Sequence, residues 1–384
     1  MVKVIKIAML GMGSVNRNLL KIIASKKDRL AEEYDIAFKI IAVTDSSGIA
    51  AISINEGENN DNNDFDMISL VEHKEKGGRI SDLSSFQGSG KERVFNILNT
   101  LDVDLLFEAT PCCVGNLETI RAAAATTEDI VQTNGDENEE DSEALRICRA
   151  ALTRGVSVVL ANKGPLVDAL GELRDLASSS SGRQGQLEYS ATVCGGLPIL
   201  NIGKRDMIVG NITKIKGVFN GTSNFIIDAM ANQAMTFHNA IREAQIIGAA
   251  EADPTLDTGG WDTAFKLLII VNTIIKGANI ITLADVSVEG IDDLSPEIIQ
   301  IEAERGNTIK LVATADIDSE NGRNKYSVRP VSQPINSFLG SITGWEMGIE
   351  IHSDIYGISY HKLYEKEPIP TAASMLRDAV HIFN

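Results

Sequence analysis

Cysteine is scarce in this chain: Cys112, Cys113, Cys148 and Cys194 are the only four in 384 residues. None is spaced C-x-x-C, and adjacent cysteines such as Cys112 and Cys113 rarely bridge, so no disulfide framework is expected. Reduced thiols in a cytoplasm are the default for such a set. The five histidines are scattered and form no His-Glu-x-x-His pattern, which argues against zinc chemistry. Positive charge is in deficit, with 35 basic against 53 acidic residues and a net charge of −18. Nucleic acid and anionic membranes both need a basic surface, so neither is an expected partner. Much of the acid lies in loops, so the charge does not by itself point to a cationic substrate. No apolar run is long enough to span a membrane, and the N-terminus reads as a strand and not as a signal peptide.

What is present is ordinary globular material, 43% hydrophobic and 23% charged. The length suits two domains, each able to bury a full core. Residues 4–10 read as a buried strand, followed by a glycine turn and a helix from Ser14 to Ser25. Further strands are expected at Phe38–Thr44, Leu101–Ala109 and Val156–Ala161. Strands alternating with helices indicate an α/β fold with a doubly wound parallel sheet. Polar stretches at Asn55–Asp66 and Thr133–Ser142 read as solvated loops, and Ser178–Gly182 as a flexible connection. Beyond Lys163 the texture changes. Gln186–Thr192, Ile212–Phe219 and Lys325–Pro330 read as strands of a second sheet, with helices near 222–232, 236–247 and 261–276. Runs of strands with separate helices suggest an α+β domain.

Gly11-Met12-Gly13 follows the first strand and opens a helix, as a dinucleotide turn must, with pyrophosphate resting on the helix N-terminus. The third fingerprint position holds Asn16 in place of Gly or Ala, which is expected to loosen helix–strand packing. Asp45 ends the second strand, where an acid favours NAD by holding a ribose hydroxyl. Ser46, Ser47, Lys74 and Arg79 are the alternatives for a 2′-phosphate, and the two lysine and arginine positions read equally as surface charges. Glu108-Ala109-Thr110-Pro111 ends another strand and reads either as the nicotinamide side of the site or as a simple proline turn. Lys163 lies at the C-terminal edge of the sheet, facing the crevice where ligands bind. Cys194 reads as a small packed residue, and Thr222 or Ser223 as a cap of the helix that follows.

The densest signal is Glu251-Ala252-Asp253-Pro254-Thr255-Leu256-Asp257, followed by Gly260-Trp261-Asp262-Thr263-Ala264-Phe265-Lys266. Lys266 sits amid Ala, Phe, Leu and Ile, where an unpaired charge is costly. Asp262, four residues earlier on the same helical face, can pair with it. A structural ion pair would explain those two residues. Glu251, Asp253 and Asp257 are more acid than one lysine needs, which suggests a polar ligand.

This region resembles the substrate loop and helix of homoserine dehydrogenases. The likeness continues in chain order through Gly11–Val15, Ala161-Asn162-Lys163-Gly164-Pro165-Leu166, Ala191–Ile199 and Lys216–Ile226, and more weakly through Pro370–Ala373 and Leu376–Asp378. It covers most of the chain. It implies a Rossmann-type domain at 1–165, completed by a C-terminal helix within about 350–384, and a substrate-binding and dimerisation domain at 166–349. It implies NADP or NAD as cofactor, bound by Gly11, Gly13, Ser14, Val15, Thr110, Pro111 and Lys163. The expected reaction is the reversible reduction of L-aspartate 4-semialdehyde to L-homoserine, a step of aspartate-family amino-acid biosynthesis leading to threonine and methionine. Lys266 and Lys163 are the candidate catalytic cations, with Asp262 orienting Lys266. Glu251 and Asp257 would hold the substrate ammonium, beside Gly221 and Thr222.

The resemblance further implies a homodimer, and a monovalent cation on the backbone carbonyls of Val193 and Gly195. The length leaves no room for an appended aspartate kinase or a C-terminal regulatory domain. Two departures stand out. The family's glutamate before Ala191 is Ser190 here, with Glu188 two residues earlier on the same strand face. The glycine-rich loop that covers the cofactor is replaced by a glycine-free stretch, Tyr360–Ile369. Two other readings stay open: a related NAD(P) oxidoreductase acting on another amino-acid aldehyde, and a nucleotide-sensing homologue without catalysis.

Overall fold

The computed structural model describes residues 1–52, 65–88, 98, 102–115, 117, 141–179, 184–233, 235–276, 279–318 and 322–384. The loop expectations at 55–66, 133–142 and 178–182 lie largely outside these residues. Ser178 and Ser179, which are described, continue a helix.

The chain divides into two compact units. One comprises Met1–Gly115, Gly135–Gly196 and Glu367–Asn384, the other Leu197–Lys366 with Asn116–Asn134. The division differs from the expected boundary at 165. Residues 166–196 belong to the first unit, where Gly164–Ser179 packs on the helix Glu143–Thr153, and residues 350–366 belong to the second.

In the first unit, β1 (Lys3–Leu10), β2 (Ile36–Asp45), β3 (Gly48–Ala51), β4 (Phe86–Gly88), β5 (Leu105–Glu108), β6 (Ser157–Leu160) and β7 (Leu187–Glu188) form one sheet in the order β4-β3-β2-β1-β5-β6-β7. The centre is parallel, as expected. The β2-β3 and β3-β4 pairs are antiparallel, so the sheet is mixed at that edge. Gln186–Thr192 does not contribute to the second sheet. Its two paired residues extend the first sheet beside β6, and the chain then turns into a 3-10 helix at Ser190–Thr192.

Strand β1 is buried on both faces from Ile7 to Leu10, as a central parallel strand is. Helix α1 (Ser14–Ser25) presents Leu19, Leu20 and Ile23 to this core. The C-terminal helix, Ile369–Phe383, adds Ala372, Met375, Leu376, Ala379 and Val380 to the same cluster. Their three- and four-residue spacing puts them on one face.

The second unit is built on a six-stranded sheet in the order β13-β12-β8-β10-β11-β9. The strands are β8 (Ile212–Val218), β9 (Val286–Val288), β10 (Asn307–Asp316), β11 (Lys325–Pro334), β12 (Glu346–Ser353) and β13 (Gly357–Tyr364). Pairing is antiparallel except between β11 and β9. Three helices matter for the site: Gly221–Gln233, Phe237–Ile246 and Trp261–Ile274. The last is apolar nearly all round and is buried at eleven of its fourteen residues, which marks it as a central helix.

Candidate active site

The first unit brings the expected nucleotide-side residues to one edge of its sheet. The register sets Leu10 opposite both Thr44 and Glu108, and Glu108 opposite Leu160. The segments after these residues leave from the C-terminal edge, and β1 has β2 on one side and β5 on the other. The turn after β1 therefore lies at the topological switch point, where open α/β sheets bind ligands. Gly11 has a φ of +82°, and a Cβ there would approach the Ala109 carbonyl oxygen to 2.9 Å. The close passage of the two turns requires glycine. Gly13 differs. It is the N-cap of α1, and a Cβ would meet nothing within 4 Å among the described residues. That open space, next to the first N–H groups of α1 at Ser14 and Val15, fits a pyrophosphate.

Asn16 does not loosen the packing. It is fully buried, and its Nδ2 donates to the Leu10 carbonyl at 3.1 Å and the Gly11 carbonyl at 2.6 Å. The amide braces the glycine turn from beneath, in place of the close contact a third glycine permits. Asp45 accepts from the Ser47 N–H at 2.8 Å and the Ile80 N–H at 3.2 Å, and pairs with Lys74 and the Ser47 hydroxyl. Burial pushes the Asp45 carboxyl up, but Lys74, Ser47 and the Ile80 N–H outweigh it and hold the group below its ordinary value. Two rival readers of the ribose end, Asp45 and Lys74, thus engage each other.

Glu108 lies wholly buried at the end of β5. Its Oε1 accepts from the Thr110 N–H at 2.8 Å, from the Thr110 hydroxyl, and weakly from Asn162 Nδ2 at 3.4 Å, while Oε2 has no partner among the described residues. Burial raises its pKa from 4.5 to about 7, against the lowering effect of those donors. An acid that ionises later in the folded than in the unfolded state gives most stability below the unfolded value. That contribution is lost as pH rises from 4.5 to about 7. The loss amounts to at most about 3 kcal/mol. Glu108→Gln cannot ionise, so its stability is expected to be flatter than the wild type's over that interval. Melting temperatures of both proteins across pH check this, and parallel curves would show that Glu108 stays charged throughout.

Asn162 fastens the next turn. Its Nδ2 donates to the Thr110 hydroxyl at 3.2 Å and its Oδ1 accepts from the Gly164 N–H at 2.9 Å. Thr110, Pro111 and half-buried Lys163 are thereby brought together on adjoining turns. Val193 is buried after the 3-10 turn, and the Gly195 carbonyl accepts from the Ser374 hydroxyl at 2.9 Å. At the departure from the family pattern, the Ser190 N–H donates to the buried Asp378 carboxylate at 2.8 Å. Burial and nearby Glu188 push that carboxyl up, opposed by Arg377 and Ser190.

The second unit holds the other half of the expected set. Lys266 Nζ lies 2.6 Å from Asp262 Oδ2 and donates to the Phe219 carbonyl at 2.8 Å. Both side chains are 12% exposed. Asn220, at the end of the strand β8 segment, joins the acids. Its Nδ2 donates to Asp257 at 2.6 Å and to Asp262 at 2.7 Å, and its Oδ1 accepts from the Ser223 N–H at 2.7 Å. Asn220 is therefore the cap of the helix Gly221–Gln233, and not Thr222 or Ser223. The Thr222 hydroxyl instead donates to the Ala249 carbonyl at 2.6 Å. Glu251 is exposed, and its carbonyl accepts from Gln245. Gly221, Thr222, Asp257, Asp262 and Lys266 are thus linked through Asn220 and its neighbours.

A family model described as homoserine dehydrogenase matches residues 198–380. The homoserine dehydrogenase of Methanocaldococcus jannaschii is 31% identical, over 98% of this chain and 98% of its own. The chain belongs to the homoserine dehydrogenase family. The NAD(+)-dependent homoserine dehydrogenase of Pseudomonas canavaninivorans is 30% identical over 98% of this chain and 96% of its own. A crystal structure of a putative homoserine dehydrogenase from Archaeoglobus fulgidus matches with a TM-score of 0.75 at 29% identity, covering 99% of each chain.

Three residues of this homoserine dehydrogenase fold carry structural weight that the sequence reading did not assign to them: Glu108, Asn162 and Asn220. Each is a buried polar residue at the end of a strand. That is a usable signal, because such a residue must find partners in the loops around it. The sequence does not say which ones. Among the described residues, no group of three or more His, Cys, Asp or Glu side chains is arranged to hold a metal, and no helix is long and apolar enough to cross a membrane.

Proposed function

We propose that this chain catalyses the reversible reduction of L-aspartate 4-semialdehyde to L-homoserine with NADH or NADPH, in a cytoplasm and as a homodimer. The observation that carries this reading is the Lys266–Asp262–Asn220–Asp257 network, in a chain of this family. The bound nicotinamide supplies the hydride. An ammonium group has three N–H donors. Lys266 directs one to Asp262 and one to the Phe219 carbonyl, and we assign the third to the substrate oxygen at C4. There it yields a proton to the alkoxide during reduction and takes one during oxidation. Lys163 is the second cation, beside Thr110 and Pro111. Asp262 holds Lys266 in place, and Asp257 with Glu251 receives the substrate ammonium. The N–H groups of Gly221 and Thr222, at the positive end of their helix, receive the substrate carboxylate. A monovalent cation on the Val193 and Gly195 carbonyls belongs to the same reading, here without the family's glutamate.

Purified protein is expected to raise the reduced-nicotinamide absorbance when given L-homoserine and NAD+ or NADP+ at alkaline pH. Binding of a nicotinamide cofactor without any absorbance change would favour the nucleotide-sensing reading instead. Turnover confined to another amino-acid alcohol would favour the related oxidoreductase.

A further inference from the structure

Gly221 opens its helix without any need, within the chain, to be glycine. Its φ lies outside the left-handed region, and a Cβ there would meet a single side chain, Trp345, at an ordinary 3.9 Å. Among the described residues, the half-buried indole of Trp345 is therefore what bounds the space over Gly221 within 4 Å. Phe225, one turn further along the helix, packs on the same indole with ring centroids 6.1 Å apart.

The segment that carries Trp345 is fastened to that helix. The Gly344 N–H donates to Asp228 Oδ2 at 2.6 Å, and the Gly344 carbonyl accepts from Asn224 Nδ2 at 2.9 Å. Asn224 and Asp228 share the helical face of Gly221 and Phe225. Beneath them Lys310, only 1% exposed, donates to Asp228 Oδ1 at 2.8 Å and Asn224 Oδ1 at 2.9 Å. A buried ion pair of this kind is a poor source of stability compared with apolar packing. Its geometric effect is definite: Gly344, the residue before Trp345, is held through both its N–H and its C=O, which fixes the backbone that carries the indole.

We infer that Trp345 is a specificity-determining wall of the amino-acid pocket, bounding the carbon chain of the substrate docked at Gly221. Lys310, Asp228 and Asn224 are the positioning residues that hold it there. This rests on the homoserine reading of the site. The test measures steady-state kinetics with L-homoserine and with L-2-amino-5-hydroxypentanoate, one methylene longer. Trp345→Ala is expected to raise the homoserine KM about 10-fold or more, the scale on which a pocket distinguishes one methylene. Turnover falls much less, the cofactor KM holds, and the preference for homoserine over the longer alcohol drops by a similar factor. Trp345→Phe restores part of that preference. Asp228→Asn, which removes the charge facing Lys310, moves the homoserine KM in the same direction. If Trp345→Ala does not fold, Trp345→Leu gives the same comparison. A folded variant whose homoserine KM and substrate preference stay within about twofold of wild type would overturn the wall. A wild type that oxidises neither alcohol would sink the homoserine reading itself, and the wall with it.

Discussion

Lys266→Ala is expected to lower homoserine turnover by at least about 100-fold, the usual scale for losing a positioned acid–base group. The fold should survive. Lys266 lies on a helix whose other contacts are apolar and extensive, and it is 12% exposed, not sealed in the core. Removing it leaves Asp262 with the Asn220 amide as a donor at 2.7 Å, so the carboxylate is not stranded. Asp262→Asn is expected to reduce turnover nearly as much for a different reason. Lys266 then loses the opposite charge beside its ammonium, and a neutral amide oxygen holds it less firmly next to the Phe219 carbonyl. A structural ion pair makes the opposite prediction. Breaking a buried pair costs roughly 3–5 kcal/mol of stability, with the activity of each folded molecule unchanged. Melting temperature and turnover measured on the same samples separate the two. A destabilised but fully active Lys266→Ala would return this lysine to the scaffold.

The parts of this site legible in the sequence are those governed by local periodicity. The Asp262–Lys266 pair follows from a spacing of four on a helix, and the Gly11 turn from a strand running into a helix. The C-terminal helix and its place in the first unit were expected through family resemblance alone. Long-range polar contacts were not legible. Nothing near Asn220 in the sequence points to Asp257 or Asp262, which are 37 and 42 residues away. Asn16 shows the same limit from the other side. Its departure from the fingerprint reads as a loosened contact, yet the amide reaches two carbonyls that a glycine could not. Gln186–Thr192 fails for a third reason. A short segment of alternating polar and apolar residues carries no label for which sheet it will join, and pairing beside β6 decides it.

The same distinction between local conformation and open space sets the outcome at the glycine turn. Gly13→Val is expected to leave the protein folded and to weaken nicotinamide cofactor binding by about 100-fold, close to 3 kcal/mol. Among the described residues beyond its own turn, no atom lies within 4 Å of the position its Cβ would take, and Gly13 makes no side-chain cap bond that valine would remove. Valine is a poorer N-cap than glycine, a local penalty of about 1 kcal/mol or less. The branched side chain would instead fill the space at the N-terminus of α1 that a pyrophosphate needs. Gly11→Val is the contrasting case. Its φ of +82° and the 2.9 Å approach to the Ala109 carbonyl turn the same substitution into a defect of the fold. The pair should therefore split cleanly, with melting temperature falling for Gly11→Val and cofactor affinity falling for Gly13→Val. Fluorescence titration of reduced cofactor into folded Gly13→Val reads the second effect directly. Affinity equal to wild type would mean that the open space at Gly13 is not where the pyrophosphate rests, and would remove the turn at residues 11–15 from the cofactor site.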